Sequence, residues 1–404
     1  MRRYHLESMT VAATLLLLLS GCGLTDVSNP GPIQDVALDD PAAGRTVFIG
    51  LVSDIEVATG SAAYYAGVAS TDLNADATQG WVQNFGAGRL LTEESSYVWD
   101  EAQSARWSAE FGIERLKKTQ ADPATNPWIA GSYLWAGYAN RILGDIACVA
   151  VFDGGPAEPN AKYYERALAH FQEATTRATA IGATMDSLRI AAAAGTAQAH
   201  LILGNYAQAG QAAAQVPTSF RWVAHRSGNT AREQNRVWEG TILSTQATVH
   251  GTFSAGLGES GDSRTPWKDL NKTGSSGIRP YYQQLKYADR GDDIPLAKGA
   301  EMRLIEAEVA LRQGNVTSAM QFINAVRQAA NVAPVTATTV AQAWLALDQE
   351  RHLTLWLEGR RLKDNARLSA PGLSSWAAAF MTGRDSCFPP SLNEVASNPN
   401  LGGM

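Results

Sequence analysis

Between Leu347 and Arg367 the chain reads LDQERHLTLWLEGRRLKDNAR, with no glycine or proline except Gly359. Trp344, Leu347, Arg351, Leu355 and Leu362 follow one another at three-, four- and seven-residue steps, so a single helical stripe carries them. Arg351, Glu358 and Arg361 fall beside that apolar stripe, while Glu358–Arg361 and Arg360–Asp364 are spaced to meet on a helix surface. A helix with charges on its core-facing side either fastens neighbouring helices by ion pairs or lines a site. No ligand-type residues gather here. Arg351, Glu358, Arg361 and Asp364 are therefore read as structural ion-pair partners.

The chain has 404 residues, 45% hydrophobic and 18% charged, which gives enough apolar material for a large core in one to three domains. Its formal charge is −6, from 33 basic and 39 acidic residues. No basic cluster tracks a phosphate backbone, so nucleic acid is not expected as a partner. Six histidines and three cysteines show no HExxH or CxxC spacing, and neither a metal nor a cofactor is expected.

At the N-terminus Arg2 and Arg3 precede an apolar run, Val11–Leu19, that ends in Leu19-Ser20-Gly21-Cys22. A basic start, a short hydrophobic core and small residues before a break describe an export signal and not a spanning helix. Cysteine directly after Leu-Ser-Gly resembles the bacterial lipobox. That resemblance implies a signal peptide over 1–21, lipidation of Cys22 and a tether over 22–39, whose stretch Leu24–Asp39 reads as extended. With Cys22 lipidated, Cys148 and Cys387 remain as an even pair in an oxidising compartment, and a disulfide between them is expected.

Helical periodicity then recurs along the chain. Asp40-Pro41 and Asn126-Pro127 read as helix starts with proline at the first position. One helix is expected to stop near Gly60, with a second piece over 62–73. Trp99–Lys118 reads as a helix with Trp107, Phe111 and Leu116 inward. Leu203-Gly204-Asn205-Tyr206 with Ala209 is echoed by Leu311, Gly314, Asn315, Val316 and Ala319, and both resemble the turn of a tetratricopeptide unit. The pair Tyr133–Ile146 and Tyr164–Ala178 fits more loosely. Thr218–Lys298 breaks the pattern with aromatics among Gly, Ser, Thr and Asp, and Thr241–Val249 reads as a short strand. An irregular stretch this long inside an ordered domain is usually functional.

Catalytic motifs are weak. Gly256-Leu-Gly258-Glu-Ser-Gly261 matches GxGxxG, but Asp262, Ser263, Arg264 and Pro266 follow where a helix should begin. No GxSxG elbow and no GxxxxGK[ST] loop occurs. The aromatic loops are the stronger lead, because tryptophan and tyrosine rings stack on flat sugar faces while Asn, Asp and Arg bond hydroxyls. Candidate ligand-binding residues are Asn74, Trp81, Asp262, Arg264, Trp267, Tyr281 and Tyr282. Trp81 and Trp267 are the tryptophans expected to be exposed, whereas Trp356 reads as structural.

Three stretches resemble the SusD/RagB family of outer-membrane nutrient-binding lipoproteins. Glu350-Arg351, Glu358-Gly359, Arg361, Asp364 and Arg367 resemble the family's ER…EGxRxxDxxR helix. Cys387-Phe388-Pro389, Glu394 and Asn398-Pro399-Asn400-Leu401 resemble its C-terminal motif, with Pro390 and Ser391 standing where Ile and Pro are usual. Gly299–Ala325, with Arg303, Glu306, Ala307, Glu308 and Gly314-Asn315, resembles the preceding helix pair.

The resemblance implies an all-α fold over 40–404: tetratricopeptide-like helix pairs, four in number, in a single domain with long irregular loops on the ligand face. It implies a non-catalytic lipoprotein of the outer membrane, lipid-anchored and facing the cell exterior. Such a protein binds an oligosaccharide or peptide and delivers it to a TonB-dependent, SusC-like transporter. Two other readings stay open, a tetratricopeptide-type scaffold lipoprotein and a surface glycosidase. Binding residues do not carry over by motif.

Overall fold

The computed structural model describes residues 35–259 and 261–402. The signal segment 1–21, Cys22 and the tether as far as residue 34 lie outside them. The scaffold helices are α1 (Gly44–Ala69), α2 (Ser96–Thr119), α3 (Pro127–Ile146), α4 (Ala161–Ile181), α5 (Asp186–Ile202), α6 (Tyr206–Ala213), α7 (Gly299–Arg312), α8 (Val316–Ala329), α9 (Val340–Thr354) and α10 (Arg361–Leu368). They pack in chain order as the pairs α1/α2, α3/α4, α5/α6 and α7/α8, each pair resting on the next. Stacked pairs of this kind bury faces that none could bury alone. The fold is all-α.

Local chemistry accounts for the helix ends. Asn126 caps α3 by accepting from the Trp128 and Ile129 N–H groups at 2.9 and 3.3 Å, with Pro127 in the first turn. Thr339 and Gln342 form a reciprocal capping box at the start of α9. The two echoed turns close in the same way. Gly204 and Gly314 adopt left-handed φ values of 77° and 75°. The Asn205 and Asn315 N–H groups then reach back to the His200 and Ala310 carbonyls, each at 2.9 Å. Close helix approach is visible at Phe171, whose ring fills the space that a side chain at Gly137 or Gly195 would occupy. A second core joins α7, α8 and α9 through Leu304, Ile323, Trp344 and Leu347.

Because α6 packs directly on α7, the stretch between them leaves the scaffold and returns to it. It holds β1 (Arg221–Ala224), β2 (Trp267–Thr273), β3 (Pro280–Gln284) and β4 (Ile294–Lys298). β1 pairs antiparallel with β4, and β2 with β3. Two-residue ladders join Asn74–Ala75 to Ala247–Thr248 and Val149–Ala150 to Glu158–Pro159. Cys148 and Cys387 are disulfide-bonded, with Cα atoms 4.9 Å apart. Beside them the Phe388 N–H donates to the Ile146 carbonyl and the Cys148 N–H to the Phe388 carbonyl, at 2.7 and 2.9 Å.

Several local expectations are corrected. α1 runs through Gly60 without a break, because tertiary packing of a buried helix outweighs the roughly 1 kcal/mol cost of an interior glycine. Trp107 and Phe111 are 52% and 42% exposed and stack on each other at 4.8 Å. The inward stripe of α2 is instead Val98, Ala102, Ala105, Ala109, Ile113 and Leu116. Within the glycine-rich stretch 74–91, which reads from sequence as a loop, Gly80–Gly86 is helical. Thr241–Val249 is a wide helical turn at Glu239–Leu243 followed by the two-residue ladder at Ala247–Thr248. Asp35–Asp39 is a 3-10 turn and not extended, with Asp35 and Asp39 paired to Arg115 at 2.8 and 3.2 Å.

The largest correction concerns Leu347–Arg367, which is not one helix. α9 ends at Thr354, and the chain turns through Leu357 and Gly359 at φ values of 58° and 72° before α10 begins. A left-handed leucine is strained unless its surroundings hold it. Here the Leu357 N–H donates to the buried Asp72 carboxylate at 3.1 Å, and the Tyr287 hydroxyl donates to the Leu357 carbonyl at 3.2 Å. Gly359 lies against the α1 backbone at Ala62 and Ala63, where an added Cβ would stand 3.3 Å away.

The turn redirects the charges, so the helix-spaced pairs Glu358–Arg361 and Arg360–Asp364 do not form. Arg351 pairs with Asp364 at 2.8 Å, Arg361 with Asp348, and Arg360 with Asp145 and Glu301 at 2.5 and 3.2 Å. Arg367 pairs with Glu308 at 2.5 Å, and Glu358 takes Lys286 and Lys298 at 2.6 and 2.7 Å. The stretch thereby ties α3, α7 and the strand region together. Trp356 is fully buried within it, and its indole N–H donates to the Asp72 carbonyl at 3.1 Å.

Candidate functional site

A cleft of about 610 Å³ opens where α1, the start of α2, the segment 226–239 and the C-terminal tail meet. α1 contributes Ser61 and Tyr65, one turn apart. Tyr97, Asp100 and Glu101 project together from the first turns of α2, at the three- and four-residue steps that share a helix face. Asn235 accepts from the Val237 and Trp238 N–H groups at 2.9 and 3.2 Å, and this cap starts the short helix that presents Arg236. Asn393 arrives from the tail.

An aromatic platform forms one wall. Tyr97 is 43% exposed and stacks on Tyr65, with centroids 5.7 Å apart and ring planes 26° apart. Trp81 packs behind both, 5.1 Å from Tyr97 and 5.3 Å from Tyr65. The half-exposed ring of Tyr97 presents a stiff flat face with a polar tip.

Polar groups surround it. Arg236 donates to the Tyr65 hydroxyl at 2.5 Å and pairs with Glu239 at 2.6 Å. Burial pushes the Tyr65 phenol up to about 12, against the nearby Arg236 charge. Burial also raises the Glu101 carboxyl above its ordinary range, partly offset by the hydrogen bond it accepts from Ser61. Asp100 accepts from Ser391 and Asn393 at 2.5 and 2.7 Å. Arg232 reaches Asp54 at 2.6 Å, and Arg226 donates to the Arg232 and Gln234 carbonyls at 2.9 and 2.7 Å. Arg232 and Arg236 are ion-paired, and the Asp100 and Glu101 carboxylates accept hydrogen bonds from neutral side chains, so the cleft offers directional donors and acceptors around a ring-sized platform. That suits an uncharged polyhydroxylated ligand. Among the described residues no group of three or more His, Cys, Asp or Glu side chains is placed to hold a metal ion.

Of the candidate residues read from sequence, Trp81 alone joins this wall. Trp267 is buried, not exposed. Its ring stacks on Tyr282 at 4.6 Å, and its indole N–H donates to the Ser254 carbonyl at 3.2 Å. Tyr281 is fully buried, with its hydroxyl donating to the Thr241 carbonyl. Asn74 donates to the His250 carbonyl at 2.7 Å. Asp262 and Arg264 pair at 2.8 Å, and Arg264 also engages Glu350. Asp262, Arg327 and Glu350 line a separate cavity of about 440 Å³. The sequence reading missed Tyr97, Asp100, Glu101 and Arg236. The signal was the alanine stripe of α2, which puts Tyr97 off the buried face.

The SusD family model matches residues 228–386. Over those residues the chain is similar to the SusD family. Three solved structures place its fold in that company. A SusD superfamily protein from Parabacteroides distasonis ATCC 8503 is 14% identical, with TM-score 0.67 over 89% of this chain and 99% of that one. A SusD superfamily protein from Bacteroides thetaiotaomicron VPI-5482 is 13% identical, with TM-score 0.66 over 90% and 97%. A SusD-like carbohydrate binding protein from Bacteroides vulgatus ATCC 8482 is 14% identical, with TM-score 0.62 over 81% and 83%. No curated protein matches the chain. At these identities the SusD-family structures share the fold, and the cleft residues stand on this chain's own geometry.

Proposed function

We propose that this SusD-like chain binds an oligosaccharide in the cleft, with Tyr97 as the stacking surface and Glu101, Arg236, Asp100 and Asn393 bonding its hydroxyls. The observation that carries the reading is the half-exposed Tyr97 ring backed by Tyr65 and Trp81 beside paired charges. The carbohydrate-binding relative from Bacteroides vulgatus supports the same ligand class. The reading is of binding without turnover, in line with the carbohydrate-binding relative from Bacteroides vulgatus.

Around that site we place an outer-membrane lipoprotein, lipidated at Cys22 and facing the cell exterior, that passes its ligand to a TonB-dependent transporter. The lipobox-like start supports the anchor, and the family supports the partner. Calorimetry of the mature protein against a glycan and peptide panel tests the site. A folded protein that binds none of them, or a Tyr97→Ala variant that binds as well as wild type, overturns it. Labelling with a fatty acid, with and without Cys22→Ser, tests the anchor, and co-purification of a transporter tests the partner.

A further inference from the structure

A second pocket, of about 270 Å³, lies between the β1–β4 ladder, the first turn of α7, the last turn of α8 and the turn after α9. It shares no lining residue with the glycan cleft. Its polar lining is Arg221, Arg264, Lys286, Lys298, Thr354 and Glu358: four cations and one carboxylate.

Arg264 is balanced elsewhere, because it and Arg327 together face Asp262 and Glu350. The remaining three cations are not balanced within the pocket. Lys286 and Lys298 both donate to the same oxygen of Glu358, at 2.6 and 2.7 Å. Each ammonium has three N–H donors, and each uses a second on a backbone carbonyl, Lys286 on Trp356 and Lys298 on Thr354. One donor on each is left without an acceptor among the described residues. The second carboxylate that faces Lys286 is Asp72, which burial raises towards its uncharged form, while burial brings Lys286 down only to about 8, so it stays a cation at neutral pH.

Arg221 makes the imbalance sharper. It stands directly opposite Lys298 in the β1–β4 register, so the two side chains leave the same face of the ladder. Like charges directly opposed on neighbouring strands are destabilising, and Arg221 has no side-chain hydrogen bond or ion pair among the described residues. Both lysines are withdrawn from bulk solvent, with side chains 17% and 15% exposed, so water screens the repulsion between them poorly, whereas Arg221 is exposed and better screened. An anion between the guanidinium and the two ammoniums would relieve it. The guanidinium fork matches an oxyanion in two directions, and the lysines supply point charge.

We propose that this pocket binds a small oxyanion, a carboxylate, sulfate or phosphate group, between Arg221 and the Lys286–Lys298 pair. Its volume is below that of pockets for drug-sized ligands, which fits one charged headgroup and not an extended chain. An acidic sugar or a free inorganic anion would satisfy the same chemistry.

The test is calorimetric titration of the mature protein at neutral pH and fixed ionic strength with sodium glucuronate, sodium sulfate and sodium phosphate, with glucose as the neutral control. Saturable binding of at least one oxyanion is expected that persists in Tyr97→Ala, with any binding of glucose lost in that variant. Arg221→Glu should weaken that binding roughly tenfold or more, with melting temperature unchanged or raised, since the new carboxylate faces Lys298. Glucuronate binding identifies an acidic sugar as the source, and sulfate or phosphate binding alone identifies the free ion. No saturable binding of any of the three, or equal affinity in Arg221→Glu, overturns the proposal. Tyr97→Ala should leave oxyanion binding unchanged, so failure of the glycan cleft and failure of this pocket are read separately.

Discussion

Arg351 grips Asp364 side-on across the turn that separates α9 from α10, with Nε and Nη2 donating to the two carboxylate oxygens at 2.8 and 3.1 Å. Neither residue could reach the other in this way along one continuous helix, because thirteen positions of straight helix would set them roughly 20 Å apart. The left-handed pair Leu357 and Gly359 folds α10 back, and the ion pair closes the bend.

Asp364→Asn tests that closure. Asp364 also accepts from Arg367 at 2.9 Å, and the two guanidiniums hold its carboxyl well below the usual range despite burial. Removing the charge leaves Arg351 buried and underpaired, at a cost of about 3–5 kcal/mol in urea unfolding at pH 7. The sign with pH follows from the depressed value. The carboxylate's contribution is present above its unfolded value near 3.8 and is lost as pH falls through the folded one. Wild type and variant should therefore converge in acid. A constant gap down to the acid limit counts against the ion pair as its cause.

Glu358→Ala should cost a similar amount, about 3–5 kcal/mol, through Lys286 and Lys298 and not through Arg351 or Arg361. The double variant Glu358→Ala with Lys286→Met separates these. Replacing both partners should recover part of the loss, whereas Glu358→Ala with Arg361→Met should not. Denaturant midpoints read the difference.

Asp72 gives a pH dependence of opposite sign. Burial pushes its carboxyl from 3.8 up to about 7, so folded protein keeps a proton that unfolded chain has lost. Stability is withheld progressively between those two values as pH rises and is constant above the upper one, reaching roughly 4 kcal/mol at most. Asp72→Asn still accepts from Leu357 and lacks this penalty. Its stability relative to wild type should climb between pH 4 and pH 7, as followed by thermal melts across that window. A flat difference refutes the raised value.

Cys387→Ser removes a crosslink that spans 239 positions of sequence, and its expected cost is about 2–5 kcal/mol. Because the Phe388 backbone still bonds to Ile146 and Cys148, the tail should stay docked in the cold and become the first site of proteolysis on warming. Unchanged protease resistance would remove the disulfide from the account of how the tail is held.

Tyr97→Ala and Trp267→Ala should behave as opposites. Tyr97 is 43% exposed and Trp267 is 7% exposed. The first should abolish glycan binding with stability within about 0.5 kcal/mol of wild type, while the second should cost about 3–5 kcal/mol. Calorimetry and urea unfolding on the same two samples check both.

Much of the scaffold was legible because helix starts and turns are written in local chemistry. Asn126-Pro127, Gly204-Asn205 and Gly314-Asn315 do in three dimensions what their residue types require. The reading went astray where size was taken for burial. In α2, alanines line the inner face because a neighbouring helix approaches closely, and Trp107 and Phe111 are left outside. It also went astray where a turn depends on residues remote in sequence. The bend at Leu357 needs Asp72 and Tyr287 to hold it, and nothing within Leu347–Arg367 announces them. The cleft was legible only at Trp81. Its other residues come from four separate segments, and their convergence is a product of packing.

α1 faces two ways along one unbroken rod. Ser61 and Tyr65 look into the cleft, while the neighbouring Ala62 and Ala63 backbone lies hard against Gly359. This wall of the binding site is thus inherited from the scaffold and cannot be redrawn without disturbing the bend that locks α10. The facing wall, from Arg226 to Glu239 together with Asn393, is mixed: Asn235 and Val237 are buried, whereas the Arg232 side chain is 57% exposed. An engineer who wants the protein to hold a different guest should recut that side at Arg232 and leave the rod alone.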